Sequence, residues 1–96
     1  MAVYTIAEIT VNDPEAYAEY QARVPATIEK YGGRYLVRGG DVTPGEGDWS
    51  PSGRIVILEF PDAESLQKWA TSPEYAPVAE IRHRAADSRS FMVQGV

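Results

Sequence analysis

Short β-branched segments alternate with amphipathic stretches along this chain, in the order β-α-β-β-α-β. Strands are predicted over residues 3–11, 34–40, 54–60 and 89–95, where β-branched and aromatic residues cluster. Right-handed crossovers in this order give one antiparallel sheet with both helical layers on the same face. The pattern therefore predicts a single α+β domain that occupies residues 1–96.

The first helix is predicted to begin at Asp13-Pro14-Glu15, where Asp13 caps the helix and Pro14 takes the first helical position. Its buried face has spacings of three and four, in Tyr17, Tyr20, Val24, Ile28 and Tyr31. Pro25 lies inside this run, so we expect a kink or a split there. Gly32-Gly33 ends the helix.

The second helical region begins at Pro61-Asp62 with a short helix that carries Leu66 and Trp69. Ser72-Pro73-Glu74 resembles the earlier helix start and predicts another helix, to about residue 86. Pro77 lies inside that helix and is expected to remove one of its hydrogen bonds. The resulting fold is a ferredoxin-like βαββαβ domain with a four-stranded antiparallel sheet.

Alternation along the strands divides their residues between two faces of the sheet. The almost wholly apolar set is assigned to the helices: Val3, Thr5, Ala7, Ile9, Val11, Tyr35, Val37, Val56, Leu58, Phe60, Phe91 and Val93. The other set mixes apolar and charged groups: Tyr4, Ile6, Glu8, Leu36, Arg38, Ile55, Ile57, Glu59, Met92, Gln94 and Val96. Monomers rarely expose so large an apolar patch, which predicts a homodimer through this second face.

Charged and amide groups within such an interface must be paired or lie beside a water-filled cavity. The candidate pocket residues on the sheet are therefore Glu8, Arg38, Glu59 and Gln94. One interpretation is purely structural, with Arg38 paired to a carboxylate. Another is that these groups orient a ligand or transfer protons.

A loop of about 13 residues, 41–53, is long for so small a domain, and such loops are often functional. Within it, Trp49 could close the mouth of a pocket and stack on a planar ligand. The alternative is that Trp49 covers the edge of the core or contacts a partner chain.

The composition narrows the possible functions. A net charge of −5 disfavours nucleic acid and anionic membranes. The chain lacks cysteine, which excludes disulfides and thiolate chemistry, and its one histidine, His83, cannot form a multi-histidine metal site. No nucleotide fingerprint, membrane span or signal pattern is present, so we expect no cofactor and no metal, and a cytoplasmic location.

Several short segments, in this order and spacing, resemble the domain-of-unknown-function 1330 family of the dimeric α/β-barrel superfamily. They are residues 13–17 (DPEAY), 31–35 (YGGRY), 38–40 (RGG), 46–49 (EGDW), 59–61 (EFP) and 72–75 (SPEY). The resemblance implies two ferredoxin-like sheets packed face to face. It implies no reaction, although relatives in the superfamily include cofactor-independent monooxygenases, muconolactone isomerases and haem-dependent enzymes.

Three functional hypotheses follow from these observations. The first is a homodimer that binds a small apolar or aromatic metabolite between its sheets. The second is a cofactor-independent monooxygenase or isomerase that uses Glu8, Arg38 or Glu59. The third is a structural or regulatory dimer without a ligand. An open pocket with an unpaired carboxylate would favour the second hypothesis, and a closed interface with every charge paired would favour the third.

Overall fold

Seven secondary-structure elements follow one another in the computed structural model, which describes all of residues 1–96. They are β1 (Val3–Val11), α1 (Pro14–Lys30), β2 (Arg34–Arg38), β3 (Arg54–Phe60), α2 (Ala63–Ala70), α3 (Ala76–Ala85) and β4 (Ala86–Gln94). The strands form one antiparallel sheet in the order β2-β3-β1-β4. This is the predicted ferredoxin-like α+β fold, with two short helices in the second crossover.

The core lies between the helices and the face of the sheet that carries Val3, Ile9 and Val56. Phe60 at the end of β3 is wholly buried, and its ring centroid lies 5.4 Å from that of Trp69 on α2. The Trp69 indole nitrogen donates a hydrogen bond of 3.0 Å to the hydroxyl of Thr27 on α1. Because the polar end of this indole is satisfied inside the core, Trp69 joins α1, α2 and the sheet without an unpaired donor.

Asp13 caps α1 by accepting a hydrogen bond from the backbone nitrogen of Ala16 at 3.2 Å. Pro25 neither splits this helix nor ends it, and α1 continues to Lys30. A proline has no N–H to donate to the carbonyl four residues earlier, which is that of Gln21. The guanidinium of Arg38 donates to this carbonyl instead, at 2.7 Å, so the helix loses a donor without leaving an orphaned acceptor.

The third helix begins later than predicted. Residues 72–75 form a turn in which the Ser72 hydroxyl accepts from the backbone nitrogen of Tyr75 at 3.1 Å, and α3 starts at Ala76. Pro77 therefore lies in the first turn, where a backbone N–H has no helical partner, and the expected loss of a hydrogen bond does not occur.

The predicted faces of β4 are inverted in the structure. Gln94 pairs with Val3 and Met92 with Thr5, which puts both side chains on the helix-facing side. Phe91, paired with Ile6, and Val93 lie on the opposite side, called here the open face. The prediction was wrong because β4 begins at Ala86 and shows no apolar alternation, so its register is determined only by pairing with β1.

Arg38 also lies on the other face from the one predicted. A β-bulge in β2 shifts the register between Tyr35, which pairs with Leu58, and Val37, which pairs with Ile57. One extra residue in a strand moves every later side chain to the opposite face. Val37, assigned to the helix-facing set, consequently lies on the open face. Arg38 pairs with Val56 and lies against α1, with its guanidinium 4.7 Å from the ring centroid of Tyr35.

Gly33 provides a test of packing at the junction of α1 and β2. A Cβ atom there would lie 2.6 Å from the Phe60 ring and 2.8 Å from Ile28. We expect Gly33→Ala to lower the free energy of unfolding by about 1–3 kcal/mol through overpacking. Chemical denaturation monitored by circular dichroism measures the change. Gly40→Ala is the matched control, because a Cβ at Gly40 meets nothing within 4 Å, and equal costs for both variants would contradict this account.

Candidate functional site

The largest cavity lies on the open face and measures about 640 Å³. Its floor is the apolar surface of the adjacent strands β3, β1 and β4, from Ile55, Ile6 and Phe91. Its wall comes from the loop of residues 39–53, through Val42, Thr43, Trp49 and Pro51. Glu8, Arg89 and Ser90 complete the lining. A volume in this range suits a small organic molecule.

Two glycines allow the 39–53 loop to lie close to the sheet. Gly39 has φ +75°, and a Cβ there would meet the guanidinium of Arg54. At Gly53 a Cβ would lie 2.7 Å from the Ile9 carbonyl oxygen. Between these points the backbone nitrogen of Ser52 donates to Oε2 of Glu8 at 3.1 Å. Glu8 therefore holds the returning end of the loop against β1.

Glu8 is also paired with Arg89, its direct neighbour on β4, with 2.6 Å between Arg89 Nε and Glu8 Oε1. This hydrogen bond from Arg89 is the largest cause that lowers the pKa of Glu8 below its ordinary value. The backbone N–H groups of Ser52 and Gly53 act in the same direction. Glu8 is consequently a stable carboxylate that positions the loop, and it is poorly suited to accept a proton.

Glu59 forms a second pair on the same face, at a distance from the cavity. Arg34 Nε donates to it at 2.7 Å, and that bond, followed by one from Tyr4, lowers the pKa of Glu59. Because Glu59 pairs with Tyr4, which is four residues from Glu8, the two carboxylates lie about 13 Å apart along the strands at roughly 3.3 Å per residue. They do not form an acid–base pair.

Two of the five predicted pocket residues, Glu8 and Trp49, line this cavity. Arg38 lies on the helix-facing side, Glu59 lies farther along the sheet, and Gln94 lies beside Val3 and α2. Arg38 was misplaced because of the bulge in β2, and Gln94 because of the inverted register of β4. Trp49 is 67% exposed, so its indole surface is available at the mouth of the cavity.

Sequence reasoning did not identify Arg89 and Phe91 as site residues. Both lie on β4, where Arg89 is paired with Glu8 and Phe91 with Ile6. A signal for the first pair was present, since opposite charges are favoured directly across antiparallel strands. Aligning Arg89 with Glu8 would have placed Phe91 on the same face.

His83 lies on α3, on the other side of the sheet from this cavity. No cluster of three or more histidine, aspartate or glutamate side chains has a geometry that could hold a metal ion. None of the three helices has the length and apolarity needed to span a bilayer.

The ion pair at the cavity can be tested by titration. Removing Arg89 in Arg89→Gln should raise the pKa of Glu8 toward its ordinary value, as measured by carboxyl-carbon NMR. The folded pKa of Glu8 lies below the unfolded one, so its stabilising contribution is present above the unfolded pKa and disappears as the pH falls through the folded pKa. Arg84→Gln, which removes an exposed arginine on α3, should leave the Glu8 titration unchanged. An unaltered Glu8 titration in Arg89→Gln would contradict the assignment.

Solved structures with this fold include proteins of unknown function and one oxygenase. The RPA0582 protein of unknown function from Rhodopseudomonas palustris has a TM-score of 0.73 at 21% identity, over 99% of this chain and 82% of that one. SnoaB, a cofactor-independent oxygenase from Streptomyces nogalater, has a TM-score of 0.68 at 15% identity, over 99% and 93%. A dimeric ferredoxin-like protein of unknown function from Jannaschia sp. CCS1 has a TM-score of 0.71 at 12% identity, over 99% and 100%. At these identities the likeness shows the fold alone.

No curated protein matches the chain. The family model described as Domain of unknown function (DUF1330) matches residues 2–96, which is nearly the whole sequence. The chain therefore belongs to the DUF1330 family.

Proposed function

We propose that this protein is a homodimeric small-molecule-binding protein that holds a mainly apolar, aromatic ligand in the open-face cavity. The observation that carries the proposal is the combination of an apolar floor, an exposed Trp49 at the mouth and a volume of about 640 Å³. Binding sites of this kind have apolar walls with few polar groups.

The charges around the cavity support binding rather than catalysis. Glu8 is hydrogen-bonded to Arg89 and to the loop backbone, and Glu59 is hydrogen-bonded to Arg34 and Tyr4. An oxygenase or isomerase that used either carboxylate as a base would need a pKa raised toward neutrality. The pKa values of Glu8 and Glu59 are instead both lowered.

The open face also supports the dimer. The domain is a slab 16 Å thick, with helices on only one side of the sheet. On the other side, Phe91 and Val93 are 55% and 47% exposed. Covering such a face with a second copy removes apolar surface from water and encloses the cavity between two sheets.

Trp49→Ala tests the ligand site. We expect the variant to weaken binding of N-phenyl-1-naphthylamine, a neutral apolar fluorophore, about tenfold, because one aromatic wall of the cavity is lost. Fluorescence titration measures the affinity. Val96→Ala, an exposed apolar residue outside the cavity, should bind the probe like the wild type. Unchanged affinity in Trp49→Ala with an intact dimer would refute the site, and native mass spectrometry of protein from its host identifies the natural ligand.

Ile57→Lys tests the dimer. Ile57 lies on the open face between Ile6 and Val37, so a lysine there would bury an unpaired charge in the proposed interface. We expect the wild type to elute from size exclusion at twice the 10.6 kDa chain mass and the variant to elute as a folded monomer. Gln67→Lys, on the exposed side of α2, should remain dimeric. A wild-type monomer at micromolar concentration would refute the proposed assembly.

A further inference from the structure

A second cavity, called here the cleft, lies on the helix-facing side of the sheet, between α2, α3 and strands β1 and β4. It measures about 340 Å³. The helices cover the β2–β3 half of the sheet more fully than β4, where Met92 on the helix-facing side is 64% exposed. Thr5, Ala7 and Ser90 form the sheet floor, and their small side chains leave room above them.

The inner wall of this cleft is aromatic. Trp69 and Tyr75 lie with their ring centroids 4.1 Å apart and their planes 32° from parallel. Tyr20 on α1 lines the cleft as well. Flat aromatic walls beside a floor of small side chains favour a planar ligand.

Two buried hydroxyls at this wall leave one hydrogen without a protein acceptor. Tyr20 and Tyr75 are 8% and 7% exposed, and their hydroxyl oxygens lie 3.3 Å apart. Neither hydroxyl donates a hydrogen bond to any other protein group. Two hydroxyls supply two hydrogens, and the bond between them uses only one. The other hydrogen is available to an acceptor placed in the cleft.

A cation without a carboxylate partner lies beside the same hydroxyls. The guanidinium carbon of Arg82 on α3 is 6.0 Å from the Tyr20 ring centroid, and Arg82 donates to the Ser88 hydroxyl on β4. None of the five ion pairs in the chain includes Arg82. Its neighbour His83 lies at the rim, with Nε2 3.4 Å from an Arg82 nitrogen. The cleft therefore combines a positive charge and a free O–H donor with an aromatic wall.

We propose that this cleft is a second binding site, for a planar, largely apolar molecule that carries one anionic or carbonyl oxygen. The oxygen accepts hydrogen bonds from Arg82 and from the Tyr20–Tyr75 hydroxyl pair, while the ring lies over Thr5, Ala7 and Ser90. This site is independent of the open-face cavity, because the sheet separates the two.

The chain contains two tryptophans, and each site contains one of them: Trp49 at the open face and Trp69 in the cleft. Their indole N–H resonances, assigned with Trp49→Phe, report the two sites separately in ¹⁵N-labelled wild-type protein. The probe is 2-naphthoate, and the matched probe of opposite charge is 2-naphthylmethylammonium. We expect 2-naphthoate to shift Trp69 and the amide of Ser88, which lines the cleft and not the open-face cavity, saturably. The ammonium probe should bind this site at least tenfold more weakly.

Arg82→Gln should weaken 2-naphthoate binding at the Trp69 reporter about tenfold or more, because a charge-assisted hydrogen bond is lost. Arg84→Gln removes the same charge from an exposed position on α3 and should change the affinity less than twofold. Tyr75→Phe, which retains the ring, should weaken binding severalfold. Circular dichroism establishes that each variant is folded.

Three results would overturn the proposal: shifts confined to Trp49, equal affinity for the two probes at Trp69, or equal affinity in Arg82→Gln and Arg84→Gln. The open-face proposal has a separate readout, since N-phenyl-1-naphthylamine binding and its loss in Trp49→Ala do not involve the cleft. Failure at one site is therefore distinguishable from failure at the other.

Discussion

The pairing of β1 with its two neighbours is the constraint on which the rest of the structure depends. β1 is central, and every residue from Val3 to Ile9 has a partner on both β3 and β4. Since side chains alternate along a strand, this pairing determines the face on which each residue of β1, β3 and β4 lies. The packing of Phe60 under Trp69, the ion pair of Glu8 with Arg89 and the position of both cavities follow from it.

The sequence predicted the parts of the fold whose local pattern is strong. β1 and β3 are rich in β-branched residues, α1 has an apolar stripe and a capped start, and their bounds agree with the prediction. The failures occur where long-range pairing overrides local pattern. In β4, polar residues precede Phe91-Met92-Val93 without alternation, so only β1 determines the register. In β2, no residue type predicts the bulge that places Arg38 on the side of the sheet that faces α1.

For the site, the sequence indicated residue types better than their positions. Glu8 and Trp49 were predictable because one belongs to a regular strand and the other to an unusually long loop. Arg89 could be placed at the site only from its pairing with Glu8, which is 81 positions away in the sequence. No local periodicity indicates that pairing. The same pairing explains why Glu8 carries a structural role: a carboxylate that accepts from an arginine and a backbone N–H is stabilised in its charged form.

The contact of Arg38 with the Gln21 carbonyl makes the residue types at positions 25 and 38 depend on each other. Pro25 removes the natural donor to the Gln21 carbonyl, and Arg38 replaces it. The Arg38 carbonyl in turn accepts from Arg54, at the point where the 39–53 loop leaves the sheet. An alanine at position 25 would return a backbone donor to the helix and leave the arginine in competition with it. Positions 25 and 38 should therefore co-vary among homologues, and their exchange would alter the base of the loop that bears Trp49.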